Sequence, residues 1–170
     1  METIYFNGTP CHTYGTVPVV GSQAPDFKLT GKDLGAVTLD QYKGKTVVLN
    51  VFPSLDTPVC AASVRRFNQE LSKMKDVVVI CVSMDLPFAM SRFCTTEGLD
   101  NVVVASAFKS PEFAQKYGLL LVDGPLEGLL GRCVLIIDKD GKVEYRDLVN
   151  EITMEPDYEA AKEVLKGKYL

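Results

Sequence analysis

Three continuous runs of apolar, mostly β-branched residues constrain the fold of this 170-residue chain more than any other feature. They are KTVVLNVF at 45–52, DVVVICV at 76–82 and NVVVAS at 101–106. Strands that are covered by protein on both faces have this composition, whereas strands with one solvated face alternate apolar and polar residues. The runs therefore predict a central sheet with other layers packed on both sides.

The segments that follow these runs have the pattern of amphipathic helices. In the first of them Val64, Phe67 and Leu71 recur at helical spacing. The next two carry a proline near the start and a glycine near the end, which are common at helix termini. The predicted helices span, in chain order, 59–74, 86–100, 110–118 and 154–167.

Turn signals predict three hairpins. The first spans 3–14 around Asn7-Gly8, the second lies in FKLTGKDLGAVTL at 27–39, and the third spans 132–149 around Asp140-Gly141. Strands that alternate with helices indicate an α/β fold with right-handed parallel crossovers, to which the last hairpin adds antiparallel strands. We expect one domain over residues 1–170, with a mixed central sheet flanked by helices and an added N-terminal β-hairpin.

Composition and charge limit the classes of function. With 18 basic and 22 acidic residues the formal charge is −4, so nucleic acid is not an expected partner. The longest apolar runs are far shorter than the ~20 residues of a membrane-spanning helix, so we expect no membrane association. The N-terminal METIYFNGTP has neither the basic nor the apolar region of a secretory signal, and a cytoplasmic location is therefore expected.

The chain has five irregularly spaced cysteines and one histidine. This pattern disfavours a zinc site, which uses clustered ligands, and a disulfide scaffold, which a chain of this size does not need. Mostly reduced thiols are expected, and a reactive cysteine becomes the main question.

One cysteine stands where a helix is predicted to begin. In FPSLDTPVC at 52–60, Thr57 has the residue type of an N-cap and Pro58 that of a first helical residue, which makes Cys60 the third residue of the helix. Unpaired N–H groups and the helix dipole favour a thiolate there. Cys60 also follows a strand end, where sites gather in such sheets. The alternative is a small, inert core cysteine.

This stretch resembles the peroxiredoxins, whose signature Pro-x-x-x-Thr-x-x-Cys is matched by Pro53, Thr57 and Cys60. More narrowly, the chain resembles the atypical two-cysteine thiol peroxidases of that family. The resemblance extends over VGSQAPDF, SRFCTTEGLDNVVVASAF and DGPLEGLLGRCVLIID, and so runs nearly from end to end. It implies a thioredoxin-like fold.

The resemblance implies a role for each matched residue. Cys60 would be the peroxidatic cysteine that attacks a hydroperoxide, and Arg132 would hold its thiolate and polarise the peroxide. Thr57 would donate a hydrogen bond to the sulfur or to a bound oxygen, Pro53 would shield the pocket, and Cys94 would be the resolving cysteine in an intrachain disulfide. The residues alone leave a second interpretation open for each position. Arg132 would be a surface charge, Thr57 a helix cap, Pro53 a turn residue and Cys94 a core cysteine.

The resemblance also implies thioredoxin as the reductant and a homodimer as the assembly. No metal or haem cofactor is expected, because sulfur carries the redox chemistry. Two alternatives stay open. One is a thioredoxin-like disulfide carrier, although C-x-x-C is absent, and the other is a peroxide sensor that passes oxidation to a partner.

Disulfide formation between Cys60 and Cys94 predicts movement. A disulfide needs Cα atoms about 5.5 Å apart, whereas the two cysteines are expected on separate helices. We therefore predict that the segments 57–62 and 90–97 unwind on oxidation.

The other cysteines are expected to be unreactive. Cys81 lies in a buried run, and Cys133 points to the face opposite Arg132 if that segment is a strand. Cys11 is expected to be exposed near the hairpin end, and His12 to lack a partner.

Overall fold

The computed structural model describes residues 1–169, and the side chains of residues 1–167. Its strands are β1 Thr3–Phe6, β2 Thr9–His12, β3 Lys28–Gly31, β4 Ala36–Thr38, β5 Thr46–Val51, β6 Val77–Ser83, β7 Val103–Ser106, β8 Cys133–Ile137 and β9 Val143–Leu148. Its α-helices are α1 Pro58–Glu70, α2 Pro87–Glu97, α3 Pro111–Lys116 and α4 Tyr158–Tyr169. Every predicted strand run and helix is thus present.

Seven strands form one mixed sheet in the order β4-β3-β7-β6-β5-β8-β9, and β1 and β2 form a separate hairpin. Strands β5, β6 and β7 are parallel, whereas β8 pairs antiparallel with β5. The predicted mixed sheet with an added N-terminal hairpin is confirmed. The second predicted hairpin also joins this sheet, because β3 pairs antiparallel with β7 through Thr30 and Ser106.

Helices cover both faces of the sheet, as the continuous apolar runs predicted. One face of β5 packs Val47, Leu49 and Val51 against α3. The other face packs Val48 and the adjoining Phe52 against α1, α2 and α4. Full burial of such a side chain contributes roughly 1.5–3 kcal/mol, so the two cores hold the strand ends in place.

The last helix begins later than predicted. It starts at Tyr158 rather than 154, because Pro156 restricts the preceding residue to extended backbone and Asp157 acts as the cap. The Asp157 carboxylate accepts a hydrogen bond from the Ala160 N–H at 3.0 Å.

Within residues 1–169, no helix is both long enough and apolar enough to cross a bilayer.

Candidate active site

Three elements of the central sheet meet at one edge. The parallel strands β5 and β6 end there, α1 and α2 begin shortly after them, and the antiparallel strand β8 starts there. Pro53 lies at this edge directly after Phe52 and is buried. The edge therefore collects side chains from segments far apart in the sequence.

Cys60 is the third residue of α1, as the cap pattern predicted, and its side chain has no solvent exposure. It packs among apolar residues that include Phe52, Leu55 and Val64. The helix begins at Pro58, so the positive end of its dipole lies beside the thiol. The thiol thus lies in the first turn of the helix, where the backbone N–H groups have no partner within the helix.

Thr57 occupies the predicted N-cap position with extended backbone, but its hydroxyl does not cap the helix. The Oγ1 hydroxyl instead donates to the Ser54 carbonyl oxygen at 3.0 Å. Its proton is therefore engaged with the loop rather than with the sulfur. The oxygen keeps lone pairs, which can accept a hydrogen bond from a hydroperoxide O–H.

Arg132 lies one residue before β8. The last pair of the β5–β8 ladder is Val51 with Cys133, so Arg132 is level with Phe52 at the same edge of the sheet. Its side chain is 2% exposed, and Nε donates to the Ile152 carbonyl oxygen at 2.8 Å. Arg132 is thus a buried cation and not the surface charge that the sequence alone left open.

The outer part of this guanidinium has an unused donor. Among the described residues, Nη1 of Arg132 is buried and has no hydrogen-bond partner. Val134 and Ile136 belong to the cluster that contains Cys60, and the alternation of side chains along a strand directs Arg132 to that same face. A buried cationic donor without a partner is suited to an anionic ligand or transition state.

Cys94 lies in α2 and belongs to the same buried cluster as Cys60. It is 3% exposed, and both thiols are free. Burial raises the pKa of Cys94, so its thiol is held neutral in this conformation. The structure therefore brings the two predicted redox cysteines to one face of the sheet in their reduced state.

The positions of the two cysteines along their helices differ. At a rise of 1.5 Å per residue, Cys60 lies about 3 Å from the start of α1, and Cys94 lies about 10 Å from the start of α2. Packed helix axes are themselves separated by about 8–10 Å. The unwinding of both segments on disulfide formation therefore stays a prediction.

A groove of about 460 Å³ follows the seam between α1 and α2. Thr57, Pro58 and Ala61 line it on one side and Phe93 and Thr96 on the other, so residues that flank both cysteines contribute to it. The groove therefore runs past the helix turns that hold the two thiols, which are themselves buried beneath it.

Cys81 lies in β6. It is fully buried in the cluster that contains Cys60 and Cys94, and Asn50 Nδ2 lies 3.7 Å from its sulfur. Burial raises the pKa of Cys81 to about 12. This environment agrees with the expected packing role.

Cys133 was expected to face away from Arg132. It is fully buried in the core on the face opposite Cys60, and burial raises its pKa. That expectation is confirmed.

Two expectations about the N-terminal hairpin are wrong. Cys11 is 3% exposed rather than solvent-accessible, because Ile4, Leu121 and Ile152 pack around it. His12 does have a partner, since its ring Nδ1 lies 2.6 Å from Asp123 Oδ2 and its backbone N–H donates to Asp123 Oδ1 at 2.8 Å. The glycine-rich loop 120–131 covers the hairpin, and this contact was not visible in the hairpin residues alone.

Sequence reasoning missed the polar residues that organise the edge, above all Ser54 and Asp85. Ser54 Oγ donates to Asp85 Oδ1 at 2.8 Å, although the two residues are 31 positions apart. A signal was present, because each residue follows closely after one of two neighbouring parallel strands and precedes a helix that begins with proline. Such positions converge at one edge of the sheet.

Comparison with known proteins defines the class of this site. The family model described as Redoxin matches residues 19–162, which is most of the chain. The chain therefore belongs to the redoxin family.

Particular members of that family are close relatives. The thiol peroxidases of Mycobacterium bovis and Mycobacterium tuberculosis are each 52% identical over 161 residues, which cover 95% of this chain and 96% of the relative. A peroxiredoxin-like protein from Aquifex aeolicus has a solved structure with a TM-score of 0.93 and 41% identity, covering 98% of this chain and 97% of that one. The predicted thioredoxin-like fold and the predicted thiol-dependent peroxidase class are both confirmed.

Proposed function

We propose that the chain reduces hydroperoxides through Cys60. The Cys60 thiolate attacks the terminal peroxide oxygen, the O–O bond breaks, and the sulfur becomes a sulfenic acid while the departing alkoxide takes up a proton. The observation that carries this proposal is the buried arginine Nη1, unpaired among the described residues, at the edge where α1 presents Cys60. A pre-positioned donor there stabilises charge as it moves from sulfur to oxygen.

Two other residues support the same step. The buried Pro53 excludes water from the strand end, which strengthens electrostatic interactions in the pocket. The Thr57 hydroxyl donates to the Ser54 carbonyl oxygen, and its own oxygen accepts a hydrogen bond from the hydroperoxide O–H and orients the peroxide toward the sulfur.

In the next step Cys94 resolves the sulfenic acid. Its sulfur bonds to Cys60, water is released, and an intrachain disulfide forms. Thioredoxin dithiol then reduces this disulfide, so that ROOH and thioredoxin dithiol yield ROH, water and thioredoxin disulfide. The placement of both cysteines in one buried cluster supports this pairing.

The test is peroxide consumption coupled to thioredoxin, its reductase and NADPH. Cys60→Ser should abolish turnover, and Cys94→Ser should permit one oxidation and then stall. Cys133→Ala, on the opposite face of the sheet, is the matched control and should retain turnover. Full turnover by Cys60→Ser would overturn the assignment. Disulfide exchange without peroxide turnover would favour the thioredoxin-like disulfide carrier. Oxidation by peroxide that is reversed only by transfer to a partner protein would favour the peroxide sensor.

We further propose that the chain is one domain over residues 1–170 that acts in the cytoplasm as a homodimer. Leu86 and Phe88 are 51% and 66% exposed, and Phe108, which follows β7 at the same edge, is 42% exposed. An apolar surface of this kind supports contact with a second copy. Sedimentation should report a dimer, and non-reducing electrophoresis of the oxidised protein should give monomers, because the disulfide is intrachain.

A further inference from the structure

Three hydrogen bonds converge on the carboxylate of Asp85. Ser54 Oγ donates to Oδ1 at 2.8 Å, and the Leu55 N–H donates to Oδ2 at 2.8 Å. Ser83 Oγ donates to Oδ2 at 2.6 Å. Both carboxylate oxygens are thus engaged, and hydrogen bonds to an ionised acceptor are roughly twice as strong as neutral ones.

The loop that these bonds hold leads directly to the peroxidatic helix. Ser54 Oγ accepts the Asp56 N–H at 3.1 Å, and the Ser54 carbonyl accepts both the N–H and the hydroxyl of Thr57, at 3.2 and 3.0 Å. Thr57 is the last residue before α1. Hydrogen bonds made by Ser54 therefore connect the Asp85 carboxylate to Thr57, the residue directly before the helix of Cys60.

Asp85 also lies two residues before Pro87, where α2 begins, and α2 carries Cys94. An aspartate in this place would ordinarily be interpreted as a cap for its own helix. It is not one here, because the N-cap of α2 is Leu86 and no side-chain cap bond is present. The carboxylate instead accepts hydrogen bonds from Ser54 and Leu55, in the loop that follows β5.

We propose that Asp85 is a positioning residue that sets the balance between the two chemical steps. Its carboxylate joins the loop that leads into α1, and so into the segment 57–62, to the residues directly before α2, whose later turns form the segment 90–97. It thereby holds the two helix starts in the closed arrangement in which Cys60 meets peroxide. This inference rests on the proposed function. Asp85 favours oxidation of Cys60 and slows condensation with Cys94, because that condensation requires the segments to unwind so that the two sulfurs can meet.

The test is a pair of rates measured on Asp85→Asn. The amide has the shape of the carboxylate, but its NH₂ group cannot accept from Leu55 or Ser83. We expect Cys60 oxidation to slow about tenfold and disulfide formation to quicken about tenfold, since hydrogen bonds to charged groups have that magnitude. The chain has no tryptophan, so both rates should be followed by rapid quenching, thiol alkylation and mass spectrometry.

Two further variants complete the experiment. Asp100→Asn makes the same change at an exposed aspartate and should leave both rates unaltered. Ser54→Ala removes one of the three donors and should shift both rates in the same directions by a smaller factor. In the double variant, Ser54→Ala should change the rates by less than it does in the wild type, because both substitutions remove the same Ser54–Asp85 bond.

A merely structural role would lower thermal stability and leave both rate constants of the folded protein unchanged, and that result would overturn the inference. If Asp85→Asn does not fold, Ser54→Ala carries the test, and unchanged rates there would equally overturn it. Failure of the wild-type Cys60 to react with hydroperoxide would instead refute the proposed function.

Discussion

Arg65 of α1 and Glu97 of α2 form a bidentate ion pair across the seam between the helices that carry the two proposed redox cysteines. Arg65 Nε and Nη2 donate to the two carboxylate oxygens at 2.9 and 2.8 Å. The Arg65 guanidinium carbon also lies 5.9 Å from the ring centre of Phe93, which is next to Cys94. The pair ties the last turn of α2 to α1 and must break if that turn unwinds.

We therefore expect Arg65→Gln to accelerate disulfide formation between Cys60 and Cys94. The pair is partly exposed and such pairs contribute about 0.2–1 kcal/mol, so the expected acceleration is at most about fivefold. High salt should produce a similar acceleration in the wild type, because it screens exposed charges. Quenched-flow mass spectrometry measures the rate.

The matched control for that prediction is Arg66→Gln. Arg66 is the next residue of α1, and its ion-pair partners are Glu70 and Glu159, neither of which lies in α2. Equal acceleration by the two variants would show that the seam pair has no particular role.

Hydrogen exchange should reveal the opening itself. We expect amides in 57–62 and 90–97 to exchange faster in the Cys60–Cys94 disulfide form than in the reduced form. A disulfide needs Cα atoms about 5.5 Å apart, and the two cysteines lie on separate helices. Amides of β5, in the centre of the sheet, provide the internal reference. Similar exchange in both forms over the two segments would contradict local unwinding.

Arg132 offers a test of transition-state stabilisation. Arg132→Lys keeps the charge but replaces the planar guanidinium by a single ammonium group. That group cannot both donate to the Ile152 carbonyl and supply the free donor that Nη1 provides. We expect Cys60 oxidation to fall at least about tenfold, given that loss of one oxyanion donor typically costs more than that. Single-turnover oxidation at several peroxide concentrations measures this effect.

For comparison, Arg146→Lys alters an arginine of β9 that is partly exposed and pairs with Glu2. It should leave the oxidation rate near that of the wild type. If Arg132→Lys oxidises as fast as this control, the arginine has no part in the reaction.

Alkaline pH should destabilise the reduced protein through its buried thiols. The pKa of Cys81 is raised from 9.0 to about 12 by burial. Between these values the unfolded chain loses a proton that the folded chain keeps, so the free energy of unfolding falls as pH rises, by about 1.4 kcal/mol per pH unit for this thiol. Below pH 9 the contribution is fully present.

Urea unfolding of wild type and Cys81→Ala between pH 8 and pH 11, with a reductant, tests this expectation. The variant should show a shallower decline with pH. Identical slopes would mean that Cys81 does not resist ionisation in the folded state.

The sheet, the helices and the class of enzyme were accessible from the sequence because their signals are local. Continuous apolar runs specified buried strands, and the segment from Pro53 to Cys60 carried both the helix-start pattern and the family signature. Arg132 was identified by resemblance alone. Its burial depends on the pairing of β5 with β8, which no local pattern reveals.

The errors share one cause. His12 was expected to be alone because its partner, Asp123, is 111 residues away in the sequence, and Cys11 was expected to be exposed because the loop that covers it is equally distant. Local periodicity describes neither contact.

Local preference was thus sufficient to specify each element of this protein and to place a thiol at a helix start. Tertiary packing alone decided what surrounds that thiol. The Thr57 hydroxyl was free to cap its helix, yet the chain of bonds from Asp85 through Ser54 engages it with the loop. The long-range bond from Ser54 to Asp85 holds the loop whose carbonyl accepts the Thr57 hydroxyl. It can form because the sheet register brings groups at the ends of neighbouring strands within reach wherever they stand in the chain.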